Sequence, residues 1–218
     1  MTSKHNIQTE LEISGLKRYG FTDPASARGK IRKIRARQAI VVVAADDLRR
    51  IFVLYSWAGR LGTSKYIDRI LNVCENYETK LFGIEANSMQ SLFADMVQLE
   101  AKKRSSRLPL VPVQQSTKVD KDFRIRSALE PVINAGRLFI QSRHSDLESE
   151  LRGFPTASTK DLVDCLASAI TLVPKRLPRQ QENAEVEALA KYLRDTGAPA
   201  SYIKQRISEV IGEQDGFV

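Results

Sequence analysis

Along this chain short apolar runs alternate with stretches whose apolar residues recur at helical spacing. Ala39 to Ala45, AIVVVAA, is β-branched and almost unbroken, as a strand buried on both faces should be. Asp46-Asp47 makes a turn, and Arg50 to Ala58, RIFVLYSWA, is a second strand. So short a connection joins antiparallel neighbours, with the two aspartates as turn formers. Upstream, Tyr19 and Phe21 share one face of a short strand. Asp23-Pro24 ends it, because proline cannot donate to a sheet ladder. Downstream, Leu81, Phe82 and Ile84 form a buried strand that stops at Glu85.

The helical period covers most of the rest. Tyr66, Ile67, Ile70, Leu71, Val73 and Cys74 form the stripe of a helix capped by Thr63. Asn87 and Ser88 offer capping oxygens to a helix carrying Met89, Leu92, Phe93, Met96, Val97 and Leu99. Leu110 to Val113 reads as a strand. Lys118 to Ala135 reads as a helix with Phe123, Ile125, Leu129 and Ile133 inward, stopped by Gly136. Arg137 to Gln141 is a further strand. His144 to Leu151 is a short helix whose Asp146, Glu148 and Glu150 read as solvated surface charges. Thr159 caps the last helix of this unit, with Leu162, Val163, Leu166, Ile170 and Leu172 facing the core. These elements predict an α/β fold, a mixed β-sheet flanked by helices.

After Val173 the pattern changes. PKRLPRQQENA reads as a linker. Ala184 to Asp195 and Ser201 to Ile211 read as a small helical hairpin turning at Gly197-Ala198-Pro199. The expected divisions are an arm over 1–14, a main domain over 15–173, and a linker plus helical appendage over 174–218.

Composition narrows the function. Thirty-four Lys and Arg against 26 Asp and Glu leave a net charge of +8, which favours a polyanionic partner. Cys74 and Cys165 sit far apart in apolar patterns and read as buried thiols, not a disulfide. Only His5 and His144 are present, which argues against a His-based metal cage or a Ser-His-Asp triad. No segment reaches the ~18 consecutive apolar residues of a membrane span. The amino-terminal residues lack the apolar core of a signal peptide. The expectation is a soluble, cytoplasmic protein without a membrane partner.

Three acids stand at element ends. In a sheet flanked by helices, ligands bind outside the carboxyl ends of the strands. If the strands ending at Asp23 and Glu85 are neighbours, their carboxylates converge. Asp161 opens the last helix of the main unit, and Asp164 follows one turn later on nearly the same face. Carboxylates with no His or Cys beside them suit Mg²⁺ or Mn²⁺. Two such ions ~3.5–4 Å apart serve phosphodiester cleavage. Plainer readings exist: Glu85 as a loop acid facing water, and Asp161 as a partner of the helix dipole. The basic run Arg28, Lys30, Arg32, Lys33, Arg35 and Arg37 either lies along phosphates or forms a solvated loop.

At these residues the sequence resembles a known family. Gly20-Phe21-Thr22-Asp23-Pro24-Ala25, the hairpin AIVVVAADDLRRIFVLYSWAGR, and Gly83-Ile84-Glu85-Ala86-Asn87 with Gln90 are similar to the nuclease domain of phage large terminase subunits. Lys121, Arg124-Ile125, Gly136-Arg137, Phe154-Pro155 and Lys160-Asp161-Leu162-Val163-Asp164-Cys165-Leu166-Ala167 continue the likeness over roughly residues 15 to 173. The resemblance implies an RNase H-like (RuvC-like) fold and an endonuclease that cuts double-stranded DNA with little sequence specificity during viral genome packaging. It implies Asp23, Glu85 and Asp161 as catalytic metal ligands, Asp164 as an auxiliary ligand, and two Mg²⁺ or Mn²⁺ ions. The family usually has an acid where Lys160 stands. Lys121 and Arg124 match basic positions that orient a phosphate or a carboxylate, or form a helix-surface ion pair.

The partners implied are a portal, a small terminase subunit and an ATPase motor domain. No G-x-x-x-x-G-K-[ST] occurs in the chain. The chain therefore reads as a nuclease domain cut from a longer protein or a split gene product. The competing readings are a junction resolvase or transposase of the same fold, and a non-catalytic DNA-binding or assembly module.

Overall fold

Strand β2 (Gln38–Ala45) lies at the centre of the sheet, and its side chains from Ala39 to Ala45 are all buried. In this computed structural model the described residues are 15–24, 37–86, 89–115, 119–174, 189–197 and 199–213. β2 has antiparallel neighbours on both sides, β1 (Lys17–Asp23) and β3 (Ile51–Gly59). β1 then pairs in parallel with β4 (Leu81–Glu85), and β4 with β5 (Leu110–Val113). A short strand β6 (Leu138–Phe139) adds to the far edge, giving the order β5-β4-β1-β2-β3-β6. Three antiparallel strands, extended by parallel β4 and β5 on one side and by the short parallel β6 on the other, form the α/β, RNase H-like sheet implied by the resemblance.

Helices cover both faces. On one face, Ile40, Val42, Phe82 and Ile84 pack against Tyr66, Ile67, Ile70 and Leu71 of α1 (Thr63–Asn76) and Ala94 and Val97 of α2 (Met89–Lys103). Each large side chain buried there stabilises the fold by about 1.5–3 kcal/mol. The other face carries Phe21 and Gly83 and is covered by α5 (Asp161–Thr171). The Cys165 thiol of α5 donates to the Phe21 carbonyl at 3.1 Å. α3 (Lys121–Asn134) and α4 (Ser145–Gly153) pack against α5 in turn. A second unit, Arg176–Val218, is separately compact; it contains helical residues 189–195 and α6 (Ala200–Glu213).

Several local expectations are corrected. Thr63 does not cap α1; Gly62 stands at the cap position with no side-chain bond. Thr159 does not cap α5 either. Phe123 and Ile133 are exposed, and only Ile125 and Leu129 of that stripe are buried. On α2, Leu92, Met96 and Leu99 face outward, because the small Ala94 and Ala101 let the helix lie close with Val97 inward. The strand expected over Arg137 to Gln141 pairs only at Leu138 and Phe139. Asp46 is a turn former: its carboxylate accepts from the Arg50 backbone N–H at 2.7 Å and from Arg50 Nε at 2.5 Å. Gly136 ends α3 with a φ of +64°, where a side chain would be strained. The capping role of Asn87 and Ser88 lies outside the described residues.

Two stability tests follow from this packing. A Cβ at Gly83 would lie 2.5 Å from Phe21 Cδ2 and 2.9 Å from Leu172 Cδ1. Gly83→Ala is therefore expected to destabilise by about 1–3 kcal/mol, read as a lowered denaturant midpoint at unchanged slope. His144 is buried, with Nδ1 2.9 Å from Ser56 Oγ. Burial, and secondarily the Arg143 charge, push its pKa below the ordinary histidine value. The unfolded chain then binds the extra proton first. Stability should be fully present above about pH 6.5 and fall as pH drops below it. His144→Gln should remove that part of the slope in denaturation curves recorded from pH 7.5 to 5.

Candidate active site

The parallel register of β1 and β4 brings two acids to one edge. Phe21 lies beside Gly83 and Thr22 beside Ile84. The next residues, Asp23 and Glu85, are therefore neighbours at the carboxyl ends of adjacent strands, with backbones about 5 Å apart. Alternation puts both on the Phe21 and Gly83 face, the one under α5. The first turn of α5 is held at this edge. Asp23 pairs with Ala39 of β2, and Arg37, just before β2, donates from Nε to Asp161 Oδ2 at 3.0 Å. From the opposite face the Tyr66 hydroxyl of α1 donates to the Asp23 carbonyl at 3.0 Å and sits 2.5 Å from Thr22 Oγ1. Burial raises the Tyr66 pKa far above the ordinary value, so this hydroxyl keeps its proton and its grip on the end of β1.

Cations of the chain gather on the acids. Asp164 is buried, yet both its oxygens are paired: Lys121 Nζ lies 2.9 Å from one and Arg124 Nη2 2.7 Å from the other. Burial works against the Lys121 charge, but the carboxylates of Asp164, Asp23 and Asp161 together hold its pKa above the ordinary lysine value. Lys160 pairs with Asp122 at 2.7 and 3.0 Å. The first turns of α3 and α5 are thus joined by charge pairs of opposite sense.

The sequence reading missed Glu150. Taken as a surface acid, it is buried on α4 and serves as the cap of α5 from another helix. One oxygen accepts from the backbone N–H groups of Leu162 at 2.8 Å and Val163 at 3.2 Å. The other accepts from Thr159 Oγ1 at 3.0 Å and from Arg37. The signal was present: Glu150 stands three residues after the buried Leu147, on the same side of α4. Gln115 and Ser168 also went unnoticed; Gln115 Nε2 donates to Ser168 Oγ at 3.1 Å, beside the Arg124 guanidinium.

Asp23, Glu85, Asp161, Asp164, Lys121, Arg124 and Arg37 thus belong to one edge of the sheet. Arg28, Lys30, Arg32, Lys33 and Arg35 lie outside the described residues. Lys121, Arg124 and Arg37 each contact carboxylates. Among the described residues no three His, Cys, Asp or Glu side chains are grouped closely enough to hold a metal ion as they stand. The donor set nonetheless suits a hard divalent cation. Asp23, Glu85 and Asp161 offer carboxylate oxygens at one edge, and the groups drawn to this cluster are already cationic. No helix among the described residues is long and apolar enough to cross a membrane.

Neither a protein-family model nor a curated protein sequence matches the chain. Solved structures do. A mutant nuclease domain of the large terminase subunit gp2 of bacterial virus Sf6, with manganese and beta-thujaplicinol, is 8% identical with a TM-score of 0.47, over 76% of this chain and 93% of that one. The yeast mitochondrial Holliday junction resolvase Ydc2 is 10% identical with a TM-score of 0.44, over 77% and 84%. T. thermophilus RuvC in complex with a Holliday junction substrate is 13% identical with a TM-score of 0.41, over 70% and 91%. The fold assignment itself rests on the strand order and directions given above.

Removing the buried cap tests the geometry of α5. Glu150→Ala leaves two backbone N–H groups, a hydroxyl and Arg37 without their acceptor. A loss of about 3 kcal/mol is expected, measured by equilibrium denaturation. A change below about 0.5 kcal/mol, the usual range of surface substitutions, would return Glu150 to the surface.

Proposed function

We propose that this chain is a metal-dependent endonuclease that cleaves double-stranded DNA with little sequence specificity, the nuclease of a viral DNA-packaging terminase acting in the host cytoplasm. Its ion is Mg²⁺ or Mn²⁺, and its assembly partners are a portal, a small terminase subunit and an ATPase motor domain. The observation that carries the reading is the β1–β4 register, which sets Asp23 beside Glu85 under the first turn of α5.

Asp23, Glu85 and Asp161 are the residues that would hold the ions, with Asp164 behind them. When bound, divalent ions place positive charge on the scissile phosphate and lower the pKa of water. The chain supplies the rest. Thr22 and Tyr66 fix the end of β1, and with it the direction of Asp23. Glu150 and Arg37 fix the start of α5 and the Asp161 carboxylate. Lys121 carries a proton-bearing charge next to the acids, available to a phosphate oxygen. The basic run from Arg28 to Arg37 follows the DNA backbone. Backbone contacts position the duplex without reading its sequence, which accounts for the low specificity.

One observation favours a second reading, a non-catalytic DNA-binding module of the same fold. Arg37 on Asp161, and Lys121 and Arg124 on Asp164, already neutralise two of the acids. Incubation of supercoiled plasmid with Mg²⁺, Mn²⁺ or EDTA separates the two. Nicking should require metal and fall by about a hundredfold or more in Asp23→Ala, Glu85→Ala and Asp161→Ala. DNA retained on a gel with no cut under either metal would sink the nuclease.

A further inference from the structure

A groove on the α1 face of the sheet leads away from the acidic edge. It has a volume of about 700 Å³ and lies between α1 and the later part of β3. β3 pairs with β6 only at Ile51 and Phe52, so among the described residues this part of β3 has no strand along its outer edge. Tyr55 and Tyr77 line it as a contacting pair, with ring centroids 5.7 Å apart and planes tilted by 51°, both half-buried against the core. Lys65 and Arg69 bring positive charge, and Asn72 and Asn76 bring side-chain amides.

Arg69 is held ready. Its guanidinium lies 4.4 Å from the Trp57 ring centroid, and Nη1 donates to the Tyr55 hydroxyl at 2.9 Å. Its Nε is buried and has no acceptor among the described residues. Asp68, also in the lining, is answered by Arg104 at 2.5 Å, which leaves the lining net positive.

The position of the groove connects it to the acids. Leu61 forms one end, and its backbone N–H and carbonyl are both bonded to the Gln38 side chain, at 2.8 and 3.1 Å. Gln38 follows Arg37, which holds Asp161. The groove therefore starts within two residues of the site and runs along α1, a helix of about 21 Å.

We propose that this groove binds a single strand of nucleic acid, taking nucleotides that flank the scissile phosphate. Aromatic faces stack on bases whatever their sequence. Asparagine amides match base edges. Lys65 and Arg69 meet the phosphates between them. A duplex keeps its bases stacked on each other, so only a strand already separated from its complement can lay a base on the tyrosine pair. The inference rests on the nuclease reading for what the strand does there, but its test does not.

Binding is measured in EDTA, so that nothing is cut, by fluorescence anisotropy of a labelled oligothymidylate of about 15 nucleotides. A blunt duplex of the same length serves as comparison. Lys65→Glu and Arg69→Ala should each weaken single-strand binding by about tenfold, a typical loss for one stacked or phosphate-bound nucleotide. Duplex binding should stay within about twofold, the range of a surface change. If Arg69→Ala fails to fold, Lys65→Glu decides alone, since Lys65 is exposed.

Unchanged single-strand affinity in the folded variants, or equal losses for single strand and duplex, overturns the proposal. Single-strand binding that depends on Lys65 and Arg69, in a chain that cuts no plasmid with metal, keeps the groove and sinks the nuclease. Metal-dependent cutting with single-strand binding indifferent to both residues does the reverse.

Discussion

The placement of the acids depends on a helix buried almost throughout. Every residue of α5 from Leu162 to Ile170 is buried, including Asp164 and Ser168. A helix so enclosed cannot leave its polar groups to solvent. An unpaired buried carboxylate would cost several kcal/mol, so Lys121 and Arg124 of α3 must reach Asp164. The first N–H groups of the helix face the same demand, and Glu150 answers it from α4. These partners fix the rotation and depth of α5, and therefore where Asp161 stands above β1.

The opposite face works by a different rule. There the core is apolar down to the edge, and one hydroxyl, that of Tyr66, gathers the polar atoms at the end of β1. A tyrosine suits the place because its ring packs with Phe93, 5.6 Å between centroids, while its oxygen reaches the strand end. The end of β1 that carries Asp23 is thus set by packing from below, and the start of α5 that carries Asp161 by charge pairing from above. A change in either layer should alter the distance between these two carboxylates.

Most of the sheet was legible in the sequence because its signals are local. The β-branched run at Ala39 to Ala45, the aspartate turn, the apolar stop at Glu85 and the glycine at 136 each state their structure within a few residues. The site was half legible. Asp23, Glu85 and Asp161 were visible as acids at element ends. A carboxylate role for Lys121 and Arg124 was among the alternatives the resemblance offered, but which cation meets which acid was not legible, because these pairings span long separations: Arg37 with Asp161, and Asp164 with Lys121 and Arg124. Capping failed for the same reason. Thr159 has the local chemistry of a cap, but a buried carboxylate brought by tertiary packing accepts from the helix and from Thr159 itself. Phe123 and Ile133 follow helical spacing, yet α3 rests on α5 along a stripe only as wide as Ile125 and Leu129.

On the proposed function, the same charge pairs have a thermodynamic consequence. A divalent ion entering among Asp23, Glu85 and Asp161 competes with Arg37 and Lys121 for carboxylate charge. A phosphate backbone arriving at the edge competes with the carboxylates for those same two cations. Each ligand therefore removes what opposes the other, and by linkage their affinities rise together. On the nuclease reading the neutralised edge would be a resting arrangement that holds metal best when DNA is present. In a non-catalytic module DNA would still draw Arg37 and Lys121 away, but the exposed acids would repel the phosphates with nothing to neutralise them. The same cations thus serve both readings, which part on whether a divalent ion enters among the acids as the phosphates draw the cations away.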